Sequence, residues 1–452
     1  MNKKRFSLST TQIIMLSFVL VIFVGSLLLV LPISSADGKS VPYIDALFTS
    51  TTATCVTGLV TLPTVSTWSV FGQATILVLI QIGGLGVITV MSAFILALSK
   101  RLGLKSRILL QDAFNLSSIS GLSHFLKRVL AGTLAVEGVG ALLYMTVFVP
   151  KFGMRGIWIS VFNSISAFCN AGLDIISENS LVDFATNPVI NLVTCTLIIL
   201  GGLGFIVWWD VIRVIKTVKK RGLRCFSMLT LHSKLALSAT AFLIVAGGVS
   251  ILVFEWSNPA TLKNLPLFDK LQIAFFQSVT TRTAGLATVP QQYLTNASSI
   301  VCILLMFIGG SPVGTAGGVK TVTMFVIAVC TISTVIGRDK MTVFSRSIAK
   351  DALSKAVTVV AMSFTITFIS SVLLAAVTNA PALQILYETV SATATVGLSM
   401  NLTSSLSIAG KLIIIGTMYL GRIGPISLAL AFSVRGKRHN AISNPTENIS
   451  VG

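Results

Sequence analysis

The chain has 452 residues, of which 54% are hydrophobic and only 10% charged. Soluble domains carry about 25% charged residues, so a chain with mean hydropathy +0.90 is excluded from the water-soluble globular class and needs lipid as its solvent. A formal charge of +19 would suggest nucleic acid in a soluble protein, but here the basic residues lie mostly between apolar runs, the pattern of the positive-inside bias. No nucleic-acid motif accompanies them, and no nucleic-acid partner is expected.

The N-terminal "MNKKR" precedes a 20-residue apolar run, Gln12–Leu31. The run exceeds the 7–15-residue core of a signal peptide, so it reads as an uncleaved first span with the N-terminus inside. A short helix over Tyr43–Thr54 follows, introduced by Pro42 at a position suited to a first turn. It is too short to cross about 30 Å of hydrocarbon and should dip in and return as an extended strand through Cys55–Leu59. A second span covers Val70–Leu98 and ends at the basic "KRLGLKSR".

The same parts return three times. The second set has a span at Val129–Val149, a dip at Gly156–Phe168, a loop at Cys169–Asp174 and a span at Pro188–Ile215 that ends in "KTVKKRGLR". The third spans Leu235–Glu255, dips at Leu267–Thr281, returns through Arg282–Leu286 and has an interrupted second span from Ser299. The fourth spans Ala352–Ala376, dips at Pro381–Ala394, returns through Thr395–Leu398 and closes with Leu412–Val434. The units are therefore 1–100, 101–225, 226–337 and 338–452. The expected fold is an all-α integral membrane protein: four tandem helix–re-entrant loop–helix repeats, eight spanning helices, pseudo-fourfold symmetry around one pore and both termini cytoplasmic. No soluble domain is left over, so any regulatory domain would be a separate chain.

The repeat is carried by "TATCVTGL" (52–59), "AFCNAGLD" (167–174), "TTRTAGLA" (280–287) and "ATATVGLS" (392–399), whose glycines Gly58, Gly172, Gly285 and Gly397 stand 114, 113 and 112 residues apart. Regular self-similarity over a whole chain signals repeated structural units. Four extended loops around an axis can offer rings of backbone carbonyls to a dehydrated cation. Non-helical backbone at membrane depth is tolerated only where it lines a cavity or is buried in protein. Glycine suits the turning point because it adopts φ > 0 and lets a carbonyl face the axis. The candidate ion-binding residues are Val56, Thr57 and Gly58; Asn170, Ala171 and Gly172; Thr283, Ala284 and Gly285; Thr395, Val396 and Gly397. Two loops carry threonine two residues before the glycine, the others Val56 and Asn170.

On these four loops the chain resembles the Trk/Ktr/HKT superfamily of potassium transporters, most closely its Ktr-type bacterial membrane subunits, over nearly its whole length. The resemblance implies potassium uptake through a filter with one glycine per loop. Gly58, where sodium-preferring plant members often have serine, points to potassium as the transported ion, with sodium as an additional candidate. It also implies a homodimer with one pore per protomer, and a cytosolic ring of nucleotide-binding, KtrA-like regulatory subunits. No cofactor is expected in this chain. Membrane lipid is the remaining expected partner, and the cell membrane the expected location.

Within the third repeat, "FIGGSPVGTAGGVKT" (307–321) has too many glycines and a proline to continue a helix. Gly309, Gly310, Ser311, Pro312, Gly314, Thr315, Gly317, Gly318 and Lys320 form the candidate gate; in the family the matching segment is a flexible gate under the filter. Arg422 should lie near the middle of its span, where a charge is expensive and functional, and resembles the family's pore-lining arginine. An ion pair with Glu137 is the alternative. Asp210 reads as an interfacial pair, and Arg282 as a brace for its loop rather than an ion contact.

The six cysteines at 55, 169, 195, 225, 302 and 330 form no CxxC pair, which argues against metal or disulfide roles. His124, His232 and His439 stand apart. No catalytic constellation is visible, so the chain does not read as an enzyme. The alternative transport reading is a proton- or sodium-coupled symporter working by alternating access. It would rest on Glu137 as the intramembrane acid, and four parallel copies do not favour it.

Overall fold

The computed structural model describes residues 10–87, 89–90, 92, 108, 122–221, 226–337 and 341–424, with side chains for all of these except 10, 122, 217–221 and 350. In chain order the main helices are α1 (Thr10–Val30), α2 (Tyr43–Cys55), α3 (Val70–Leu85), α4 (Leu122–Phe152), α5 (Arg155–Cys169), α6 (Pro188–Leu203), α7 (Phe205–Arg221), α8 (Leu231–Glu255), α9 (Leu267–Thr280), α10 (Asn296–Phe307), α11 (Thr321–Val335), α12 (Lys350–Val377), α13 (Ala382–Thr393) and α14 (Ile408–Ile423). A two-residue hairpin, Thr342–Val343 with Arg346–Ser347, precedes α12.

Among the described residues, α1, α4, α8 and α12 are long and apolar enough to cross a membrane in one piece. At 1.5 Å per residue, about 20 residues match the hydrocarbon thickness. Each is followed by a short helix of 12 to 15 residues, α2, α5, α9 or α13. Proline precedes three of these, at Pro42, Pro266 and Pro381.

The long and short helices pack through one recurring contact. Ser50 donates to the Ile22 carbonyl at 2.7 Å, Ser164 to the Glu137 carbonyl at 2.6 Å and Ser278 to the Ile244 carbonyl at 2.8 Å. Three residues beyond each acceptor stands a glycine (Gly25, Gly140 or Gly247) on which a built Cβ would lie 2.5 Å from that serine's Oγ. Small residues let backbones approach, and a hydroxyl satisfied across the contact holds them together. In the fourth set the hydroxyls of Ser371 and Thr389 meet instead, at 2.7 Å.

The second spans depart from expectation. Val70–Leu98, Pro188–Ile215 and Leu412–Val434 were expected to be continuous, with only the third set interrupted. Helix α3 stops at Gly86 (φ 86°, ψ 133°), α6 at Gly204 (φ 88°, ψ 141°) and α14 at Gly424 (φ 85°, ψ 145°). The same positive-φ turn ends all three, a conformation that L side chains resist. After Gly204 the chain continues as α7, bent 100° from α6. The ends of the first and fourth second spans, the basic clusters at 3–5, 100–107 and 435–438, Cys225 and His439 lie outside the described residues.

Candidate ion pathway

Just beyond each short helix one non-glycine residue takes the left-handed conformation, as the cap itself in α2 and α5 and one or two residues past the cap in α13 and α9. Val56 (φ 55°), Asn170 (φ 59°), Thr283 (φ 69°) and Thr395 (φ 50°) all take positive φ, two residues before Gly58, Gly172, Gly285 and Gly397, which are also at positive φ. Left-handed valine and threonine are sterically strained, costing on the order of 1–3 kcal/mol each, and persist only where the surroundings impose them. Three such residues and an asparagine in one register show that the loops are held, not relaxed. Side-chain oxygens help to hold them: Thr52 Oγ1 accepts from the Gly58 N–H at 2.9 Å and Ser391 Oγ from the Gly397 N–H at 3.0 Å. In the other two loops Ser166 and Thr280 donate to the carbonyls of Leu173 and Leu286.

The four glycines close into one ring. A Cβ built on Gly58 would lie 2.7 Å from the Ala171 carbonyl oxygen, on Gly172 2.8 Å from that of Ala284, on Gly285 2.5 Å from that of Val396, and on Gly397 2.2 Å from that of Thr57. Each glycine therefore abuts the carbonyl preceding the next glycine, and no side chain fits at any of the four positions. The expected ion-binding residues are thus brought together, and Thr57, Ala171, Ala284 and Val396 carry the ring's carbonyls. Asn170 Oδ1 and Thr395 Oγ1 are buried oxygens without a hydrogen-bond partner among the described residues. They lie at the entrance to their glycine strands.

The expected gate segment lies against this entrance. Its neck is closed by Gly309 N–H to the Val319 carbonyl (2.9 Å) and Val319 N–H to the Phe307 carbonyl (3.1 Å). Thr315 Oγ1 donates to the Phe168 carbonyl at 3.0 Å, and the Gly317 N–H donates to Thr283 Oγ1 at 3.1 Å. A Cβ on Gly317 would fall 2.0 Å from Thr395 Oγ1. The end of α5 and loops three and four therefore all touch the segment. Lys320 turns its ammonium back to the Ala316 carbonyl at 2.6 Å, and Ser311 meets Thr321 at 3.0 Å. Pro312 and Gly314 press on α6 at Gly204 and Gly201, and Gly318 takes φ 67° against Gly309. Gly310 donates to the Gly317 carbonyl.

Sequence spacing sets Gly84 and Gly202 in register with Gly310, 26, 30 and 25 residues beyond their loop glycines, but does not single out Gly83, Gly201 and Gly421, the counterparts of Gly309. A Cβ on Gly83, Gly201 or Gly421 would fall 2.0 Å from the carbonyl oxygen of Thr54, Phe168 or Thr393, at the ends of α2, α5 and α13. The signal was the tetrapeptide Gly-Gly-Leu-Gly at 83–86 and 201–204, matched by Gly-Arg-Ile-Gly at 421–424. On Gly309 the corresponding neighbour is the Gly317 carbonyl of the loop itself.

Arg422 donates to the carbonyls of Thr315 and Gly83 and not to Glu137, so the alternative ion pair is not formed. Glu137 accepts from Gln81 Nε2 at 3.2 Å and lies 3.8 Å from Cys169 Sγ. Arg282 is buried and donates to the Gly309 carbonyl at 3.0 Å. Asp210 pairs with Arg213. No group of His, Cys, Asp and Glu suited to a metal ion occurs among the described residues.

Residues 2–441 match the TrkH family, described as cation transport protein. The chain is 38% identical to the potassium/sodium uptake protein NtpJ of Enterococcus hirae, over 100% of this chain and 99% of that one. It is 40% identical to the Ktr system potassium uptake protein B of Bacillus subtilis, over 93% of this chain and 92% of the relative. The crystal structure of the potassium transporter TrkH from Vibrio parahaemolyticus superposes with a TM-score of 0.74 at 16% identity, over 96% of this chain and 86% of that one. With a family match and relatives of this length and identity, the chain is a multi-pass membrane protein and a transporter rather than an enzyme, and it belongs to the TrkH family of cation transport proteins.

Proposed function

We propose that the protein takes up potassium across the cytoplasmic membrane through the ring formed by Gly58, Gly172, Gly285 and Gly397. The observation that carries this reading is the closed contact of each glycine with the carbonyl before the next. Carbonyl oxygens aimed into a common space replace the water shell of a monovalent cation. A membrane potential of 100 mV contributes about 2.3 kcal/mol per charge, enough to concentrate such an ion roughly fifty-fold. The names of the relatives, potassium uptake proteins, support potassium, and that of NtpJ adds sodium.

In this reading the 309–320 segment obstructs the pathway beneath the ring at rest, and Arg422 sets a fixed positive charge beside it. The four sets of helices form pseudo-fourfold repeats with both termini cytoplasmic, and the protein works as a homodimer with cytosolic nucleotide-binding regulatory subunits. The Ktr system names of the relatives support a multi-component assembly.

The test is rubidium uptake in a host stripped of its own potassium uptake, comparing wild type with Gly58→Ser. Rescue by wild type, with lost potassium preference in the variant, supports the ring as the filter. Rescue by both, with equal preference, moves the pathway elsewhere.

A further inference from the structure

Helix α7 departs from α6 at 100°, so it runs across the direction of the spans rather than along it. Its buried stripe is Val207, Asp210 and Val214, at i, i+3 and i+7. Asp210 is turned inward, accepting from the backbone N–H (2.8 Å) and hydroxyl (2.9 Å) of Thr230, the N-cap of α8. The opposite stripe exposes Ile212, Arg213, Ile215 and Lys216. Exposed branched aliphatics alternating with bases on a helix lying across the spans match an interfacial helix. Trp208 and Trp209 stand at its start, residues enriched at membrane–water interfaces.

Positive charge gathers along this edge. Arg128 lies 5.9 Å over the Trp209 ring, and Lys127 beside it is exposed. Arg213 is balanced by Asp210, but Lys216 is exposed, and Lys219, Lys220, Arg221 and Arg224 follow in sequence. From 205 to 224, Asp210 is the single acid, and it faces the protein.

The start of α7 is bonded to the gate segment. The Phe205 N–H donates to the Val313 carbonyl at 2.9 Å, and the Ser311 and Thr315 N–H groups donate to the carbonyls of Gly202 (2.8 Å) and Gly201 (3.1 Å). A Cβ on Gly204, at the bend, would fall 2.3 Å from the Pro312 carbonyl.

We propose that α7 is a docking surface for anionic phospholipid headgroups and that their binding holds the 309–320 segment against the glycine ring. The second half rests on the pathway proposed above. Phosphates match the outward bases, while Ile212 and Ile215 enter the acyl boundary. A ligand stabilises the state that it binds. Headgroups that keep α7 across the spans therefore favour the bonded position of the segment, and the flux falls.

The test uses the full chain in vesicles of phosphatidylcholine alone or with one-quarter phosphatidylglycerol. It compares wild type, the triple variant K216Q/K219Q/K220Q and, as a control for general loss of charge, Arg346→Gln. Quenching of tryptophan fluorescence by brominated phosphatidylglycerol, relative to brominated phosphatidylcholine, reads binding, and rubidium influx reads the coupling. The expected result is a severalfold quenching preference for the anionic lipid in wild type and Arg346→Gln, lost in the triple variant. Influx should be at least threefold lower in anionic vesicles for the first two proteins and independent of lipid for the third. An undiminished preference in the triple variant overturns the site. Loss of preference with lipid-independent influx in wild type overturns the coupling. Influx indifferent to lipid, with potassium-limited growth lost only in the triple variant, assigns the surface to a soluble partner and overturns the proposal. Absence of influx in every vesicle, from wild type and also from a variant shortened within 309–320, counts against the pathway, while quenching still decides the lipid site.

Discussion

Arg422 donates to the backbone carbonyl of Thr315 at 2.7 Å, joining the terminal turn of α14 to the segment that interrupts the third set of helices. Its other nitrogen reaches the Gly83 carbonyl in the last turn of α3. One guanidinium thus bridges three of the four chain sets. Its position in Gly-Arg-Ile-Gly matches Gly84 and Gly202 in the two Gly-Gly-Leu-Gly breaks, so the fourth set spends its equivalent site on a charge.

Replacing Arg422 by glutamine should release the 309–320 segment. Hydrogen bonds to charged groups contribute about 1.5–3 kcal/mol, which corresponds to a shift of roughly tenfold or more in the segment's equilibrium. Rubidium influx in vesicles of the purified protein, without any soluble partner, should rise several-fold in Arg422→Gln. An unchanged influx would show that the segment is not held by this residue.

The glycine ring makes a second, sharper expectation. Gly58 takes φ 97° and leaves 2.7 Å between a built Cβ and the Ala171 oxygen. Serine there is strained by its backbone and must push the neighbouring loop away, at a cost of about 1–3 kcal/mol. Gly58→Ser should lower the ratio of potassium to sodium uptake by tenfold or more. Gly38 is the control: it takes φ 67° but has nothing within 4 Å. Gly38→Ala should cost roughly 1–2 kcal/mol for its left-handed backbone and leave the uptake ratio unchanged.

Much of this arrangement is legible in the sequence because its signals are local and repeated. The four glycine loops, the too-short helices and the third-set interruption all follow from glycine spacing and apolar length. The limits of α2, α5, α9 and α13 fall within two residues of those read from the sequence. The breaks at Gly86, Gly204 and Gly424 were missed although Gly-Gly-Leu-Gly recurs at two of them, because glycine is frequent in membrane helices and the apolar run continues past each one. What ends each helix is a tertiary contact: the preceding Gly83, Gly201 and Gly421 abut the carbonyls that end the short helices. Sequence could not reveal that pairing. The partners of Glu137 were equally hidden. Gln81 is 56 residues away on another helix, and an acid and a base in separate spans look like a pair until distance decides.

The ion pair between Asp45 and Lys411 links the first and fourth sets at 2.6 Å, with side-chain exposures of 9% and 14%. Asp45 sits in the first turn of α2, where a carboxylate also complements the helix dipole. Removing one partner leaves a largely buried charge, which costs up to about 3–5 kcal/mol in a fully buried pair; the residual exposure reduces this. Asp45→Asn should lower the melting temperature of the detergent-solubilised protein by several degrees. The double variant Asp45→Asn with Lys411→Met should recover part of the loss. If the double variant melts no higher than Asp45→Asn, the pair does not join the two sets.

Asp174 supplies the pH dependence. It lies two residues beyond Gly172, in the loop that leaves the ring, and burial of the carboxyl pushes it up to about 6, against the opposing Ser180 hydroxyl and the N–H groups of Ile176 and Ser177. A carboxyl raised above its ordinary value stays protonated in the folded protein at pH 5, where the unfolded chain has already ionised it. Its charge at the mouth of the ring therefore appears only as pH rises through 6. That charge costs stability, since a raised carboxyl favours the folded state only below its folded value. In return it attracts cations to the mouth. Rubidium uptake at subsaturating concentration should therefore rise about twofold between external pH 5 and pH 7 in wild type. The Asp174→Asn protein should lack this rise while melting at least as high as wild type at pH 7. A variant that keeps the full rise would place the titrating group elsewhere, and one that melts much lower would show that Asp174 braces the loop rather than charging its mouth.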